Sequence, residues 1–153
     1  MRPALIPSLL LAALLPACRT TPSLPPVDLQ ATGWRVRQGQ AVWTSARGAS
    51  GVAGELIVAI RGDGACFVQF AKPPFTLVTA HSQAGAWALE LPPTRRYFHG
   101  LGQPPARFVW IALAEALAGR APGGGWQFAW PEPAGWRLAN PATGEALEGY
   151  FTP

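Results

Sequence analysis

The sequence predicts a mainly β domain, an antiparallel sheet with one apolar face covered by a single apolar helix. Three observations predict it. Seventeen Gly and seventeen Pro punctuate short apolar runs with no repeating period, which excludes collagen and solenoids and favours many short strands. Most of those runs alternate along one face, as half-buried strands do. One stretch, residues 104–119, is instead rich in Ala, Leu and Ile and has helical features throughout. Apolar residues make up 49% of the 153 and charged residues 13%, a balance that excludes a disordered or acidic solvating chain.

Taken in order, Trp34 to Trp43 and Glu55 to Arg61 have strand composition. Gly62-Asp63-Gly64 then carries the Asp-Gly signal of a tight hairpin into Ala65 to Lys72. The Arg61-Gly62-Asp63 tripeptide is explained by that turn. Phe75 to His81, Ala86 to Leu91 and Arg95 to His99 continue an antiparallel meander, separated by Lys72-Pro73-Pro74, Gln83-Ala84-Gly85 and Pro92-Pro93. Alternation puts Leu56, Val58 and Ile60 on one face, then Cys66, Val68 and Phe70, then Trp87, Leu89 and Leu91. The opposite face is mixed, as in a sheet that covers something on one side.

The helix is predicted from Pro104 to Gly119, with Pro-Pro at its start and Gly just beyond its last apolar residue. Between Ala106 and Ala118 its charged members are Arg107 and Glu115 alone, so it is apolar nearly all round and should be buried. Three more strands follow the Gly123-Gly124-Gly125 connector, at Trp126 to Pro131, Gly135 to Asn140 and Glu145 to Phe151. Trp126, Phe128 and Trp130 are expected on one face.

The net charge of +4 rests on dispersed arginines and one lysine, Lys72, without the clustering that a nucleic-acid surface needs, so no nucleic-acid partner is expected. Catalytic motifs are absent: there is no Cys-x-x-Cys, no close His pair and no Gly-x-Ser-x-Gly. Gly48-Ala49-Ser50-Gly51 reads as a loop. The segment from Gly119 to Gly125 lacks the Lys-Ser/Thr of a phosphate loop and follows a helix instead of opening one. An enzyme would need His81, His99, an acid and Cys66 to converge. We expect no catalytic residues, no metal and no cofactor. Cys66, in an apolar run, reads as a small buried hydrophobe.

At the amino terminus Met1-Arg2 precede an apolar run from Ala4 to Leu15 and then Leu15-Pro16-Ala17-Cys18, the layout of a secretory signal. A spanning helix needs about 20 apolar residues, and this run has about a dozen. The stretch resembles a bacterial lipobox, which implies cleavage before Cys18 and a diacylglyceryl group on its thiol. Residues 1–17 are then the signal, residues 18–32 the lipidated Cys and a Pro/Thr/Ser-rich flexible tether, and residues 33–153 the domain. Arg rather than Asp at position 19 points, by analogy with proteobacterial sorting, to the outer membrane on its periplasmic side.

The order of lipobox, tether, antiparallel strands, Pro-containing loop, apolar helix and closing strands resembles the LolA and LolB family. Its most specific stretch is Cys66 to Thr79, around Phe67-Val68-Gln69-Phe70-Ala71-Lys72-Pro73-Pro74-Phe75. The resemblance implies an incomplete, half-open β-barrel with the helix packed in or over its concave face. It also implies a monomer that binds acyl chains of lipids or lipoproteins, with the membrane as partner through its anchor. Trp87, Leu89, Trp110, Ile111, Leu113, Leu117, Trp126, Phe128 and Trp130 would wall an acyl cavity, and would equally suit a packed core. Pro74 and Phe75 fall where the lipidated members carry a protruding membrane loop, although Phe75 could instead begin a strand and join the core. The alternative to a carrier is an envelope-anchored β-rich interaction module without a ligand cavity.

Overall fold

A computed structural model of the chain describes residues 24–131 and 135–153. The expected signal, Cys18 and the first part of the expected tether lie outside the described residues. The strands are β1 (Trp34–Thr44), β2 (Val52–Arg61), β3 (Cys66–Lys72), β4 (Phe75–Gln83), β5 (Ala86–Leu91) and β6 (Arg96–Leu101). A helix, α1 (Val109–Leu117), precedes β7 (Gln127–Ala129), β8 (Trp136–Ala139) and β9 (Ala146–Phe151). They form one nine-stranded sheet in the order β6-β5-β4-β3-β2-β1-β9-β8-β7, antiparallel at every pairing. The edges β6 and β7 do not pair with each other, so the barrel stays open.

The register explains which face is buried. Val58 stands opposite Val68, Val68 opposite Ala80, Ala80 opposite Leu89 and Leu89 opposite Phe98, so one apolar row crosses five strands. A parallel row runs from Ile60 through Cys66, Ser82 and Trp87 to Gly100. Gly100 is required there: a Cβ would meet the Trp87 indole at 2.9 Å. The β2–β3 hairpin is fixed by Asp63, whose Oδ1 accepts from the Ala65 amide at 3.0 Å and whose Oδ2 accepts from Arg61 Nη2 at 2.7 Å. Chiefly through those Arg61 hydrogen bonds the Asp63 carboxyl is held down at about 2.

The helix is shorter than its composition predicts, because the segment from Pro104 to Phe108 is not part of α1. Phe108 is extended, with φ −84° and ψ 104°, and no side chain caps the first turn. The predicted stop holds. Gly119 adopts φ +80°, its amide donates to Ala116 O, and the Arg120 amide donates to Glu115 O, the paired hydrogen bonds of a Schellman ending. The helix packs on β2, β3 and β4, and its residues Val109 to Ala114 are all buried. Leu138 of β8 and Leu147 of β9 belong to the same core, so the sheet curls around the helix.

Candidate functional site

The expected wall residues converge, but as packing. Leu89, Trp110, Ile111, Leu113 and Trp126 are buried members of one core, and Leu117 and Phe128 pack against its margin. Trp110 lies at the centre. Its ring stacks on Phe70 at 5.1 Å and meets Trp43 edge-on at 5.3 Å. Trp87 is buried beside Phe108, with ring centroids 5.5 Å apart. Trp130 departs from the expectation. It is 56% exposed, because β7 ends at Ala129 and lies at the sheet edge, where no further strand can cover the next side chain.

Trp43, Phe70, Phe98 and Phe108 complete the apolar surface around α1 and were not among the residues singled out for it. Alternation along β3 flags the face of Phe70. Nothing local in the sequence brings Trp43, at the end of β1, onto a helix residue 67 positions away.

Two polar contacts staple the base of the helical segment. Trp126 Nε1 donates to Ala106 O at 2.7 Å, joining the loops before and after α1. Buried Asn140 donates from Nδ2 to Gly124 O at 2.9 Å and ties both loops to the sheet. Within α1 itself burial of apolar side chains does the holding. A free helix of nine residues is far below the roughly 12–15 at which isolated helices become even marginal in water.

A cavity of about 490 Å³ lies between Leu24, Pro25, Ala86, Trp87, His99, Gly100 and Leu101. Of the expected wall residues it takes Trp87. Its volume falls within the about 300–1,000 Å³ typical of small-molecule pockets. A second, of about 300 Å³, runs over Gln40, Val42, Ala53 and Tyr150. A third, of about 350 Å³, has Arg47, Arg137, Asn140 and Glu145 among its lining residues.

Phe75 stands at the β3–β4 turn, 69% exposed, with Pro73 and Pro74 exposed beside it. It is outside the core. Lys72, its cross-strand partner, is exposed as well.

Among the described residues the titratable groups do not assemble into one cluster. His81 and His99 share an outer row with Ala88 between them, about 10 Å apart at the ordinary strand spacing. Burial pushes the His81 imidazole down, opposed by Glu90. Glu145 is raised by burial, opposed by a hydrogen bond from Trp43 Nε1 at 3.0 Å. Among the described residues no group of three His, Cys, Asp or Glu side chains could hold a metal ion, and no helix is long and apolar enough to cross a membrane.

Cys66 is buried, and burial pushes its thiol up to about 11. The thiolate is the reactive form. A disulfide reagent at mildly alkaline pH should therefore leave Cys66 unlabelled in the native domain and label it fully in denaturant. Rapid native labelling would contradict this burial.

No protein-family model matches the chain, and no curated protein sequence matches it.

Proposed function

We propose that this protein is an envelope lipoprotein, anchored through Cys18 at the outer membrane and facing the periplasm. Its LolB-like half-barrel takes up acyl chains of lipids or lipoproteins without a chemical step. The observation that carries the reading is the open sheet curled around one short helix that burial alone holds in place. An acyl chain entering beneath α1 replaces apolar contacts with apolar contacts, each buried methylene contributing about 0.8 kcal/mol. The staple at Ala106, Gly124 and Trp126 keeps the base of the segment fixed while the helix yields.

The test uses the chain from Arg19, which lacks the anchor and retains every described element. Palmitate should displace a fluorescent fatty acid from it saturably, at one site. Absence of saturable binding would refute the carrier reading. The filled core around Trp110 favours a second reading, an interaction module that docks partners through exposed aromatics such as Phe75, Trp130 and Tyr150. A module of that kind would show no displacement.

A further inference from the structure

Two rows of the buried face end on arginines. The row of Leu89, Ala80, Val68 and Val58 continues onto β1 at Arg37, and the row of Trp87, Ser82, Cys66 and Ile60 continues at Arg35. Cross-strand partners share a face, so both arginine side chains leave the sheet on the side where α1 packs. Val58 is 1% exposed and Ile60 7%, yet Arg35 and Arg37 opposite them are exposed. The reason is topological. β9 pairs with β1 from Gly39 onward, and the Thr152 amide donates to Gln38 O at 2.8 Å, so among the described residues 34–37 have β2 on one side and no strand on the other. The concave side is open at this corner, and its rim is cationic.

The chemistry of this rim fits an anion. Arg35 and Arg37 stand about 7 Å apart along the strand. Among the described residues the ion pairs are Arg61 with Asp63 and Arg137 with Glu148, so neither Arg35 nor Arg37 has a carboxylate of its own. Arg37 is already positioned. Its guanidinium carbon lies 5.5 Å from the centre of the Phe151 ring, which itself packs against the core. The N–H groups of a guanidinium lie in its plane, and a carboxylate or phosphate takes them two at a time. Water reaches the outer side of the rim, so an anion there keeps part of the hydration that a site under α1 would strip.

We infer that Arg35 and Arg37 form a head-group site, and that the ligand is an acyl lipid with an anionic head, a carboxylate or a phosphate monoester. The inference rests on acyl-chain uptake beneath α1 and narrows it from any acyl lipid to those that carry an anion. From Leu89 on β5 to Arg37 on β1 is four strand spacings, about 19 Å, the length of an extended palmitoyl chain. A chain laid along Leu89, Ala80, Val68 and Val58 crosses apolar side chains alone and delivers its carboxylate to Arg37, with Arg35 next to it.

The experiment again uses the chain from Arg19 and displacement of a fluorescent fatty acid, whose own affinity is measured for each variant. The displacing probes are palmitate, hexadecyl phosphate and methyl palmitate. Palmitate should bind about tenfold or more tighter than its methyl ester, the difference expected when charge-assisted hydrogen bonds are lost. Arg35→Met combined with Arg37→Met should abolish that preference, weakening palmitate about tenfold and leaving the ester unchanged. Both side chains are exposed and Met keeps an apolar stem, so the core stays intact. Arg137→Met, on the opposite face, should change neither probe. Added salt should weaken palmitate and not the ester. Whichever of palmitate and hexadecyl phosphate binds tighter identifies the head as carboxylate or phosphate. Equal affinity for palmitate and its ester, or palmitate binding unaffected by the double substitution, would overturn the head-group site and leave acyl uptake standing, as expected of arginines that only guard the unpaired edge of β1. No saturable binding of either palmitate or its ester would refute acyl uptake, and the head-group site with it, so the two failures are distinguishable.

Discussion

Replacing Trp110 with alanine should lower the free energy of unfolding by about 3–5 kcal/mol, the cost of removing a fully packed aromatic and leaving a cavity. Trp110 is 2% exposed, stacked on Phe70, which is wholly buried, and met edge-on by Trp43. Those two rings come from β3 and β1, so one side chain of α1 locks the helix to two strands. The fold cannot refill the space locally, because Phe70 is already against the Gly54 backbone, where a Cβ would meet its ring at 2.8 Å. Domains of this size are stable by about 5–15 kcal/mol in total, so the variant should sit near the edge of folding. Urea unfolding followed by circular dichroism measures the loss. Trp110→Phe should recover part of it, and a loss below about 1 kcal/mol for Trp110→Ala would show that Trp110 does not hold the helix down.

Gly149→Val should be nearly as damaging, through the backbone rather than the core. β9 pairs with β1 in a register that sets Ala41 opposite Gly149 and Gly39 opposite Phe151. A Cβ at Gly149 would run into the Gln40 carbonyl, and one at Gly39 into the Tyr150 carbonyl. The colliding atoms are main chain and cannot rotate away. Overpacking of this kind costs about 3 kcal/mol, and here it falls on the one joint between the first six strands and the last three. Hydrogen exchange should therefore show β7, β8 and β9 losing protection before β2 to β5. Uniform destabilisation across the sheet would argue that the two halves do not open separately.

The strand pattern was legible because alternation and turn residues are local. Leu56, Val58 and Ile60 show their face without reference to a partner, and Asp63-Gly64 marks its hairpin by itself. The β1–β9 joint was not legible. Its partners lie over a hundred positions apart, and a glycine such as Gly149 reads as a weak strand residue until the opposing carbonyl is seen. The start of the helix was misread for a related reason: Ala106 to Phe108 have helical composition, but Phe108 is extended and turns its ring onto Trp87 and Phe98. Trp130 was misread because alternation continues in sequence past the point where β7 ends and burial stops. Of the candidate site, the apolar character of α1 and of the strands facing it could be read in advance. That the helix fills the concave side depends on volumes, which residue patterns do not carry.

An acyl chain is expected to enter beneath α1. The most direct measurement is of nuclear Overhauser contacts between carbon-13-labelled palmitate and the protein beginning at Arg19. Contacts are expected from the acyl methylenes to Val58, Val68, Phe70 and Leu89, with loss of the stacking of Trp110 on Phe70. Palmitate contacts confined to the outer surface, with Trp110 still seated on Phe70, would contradict it.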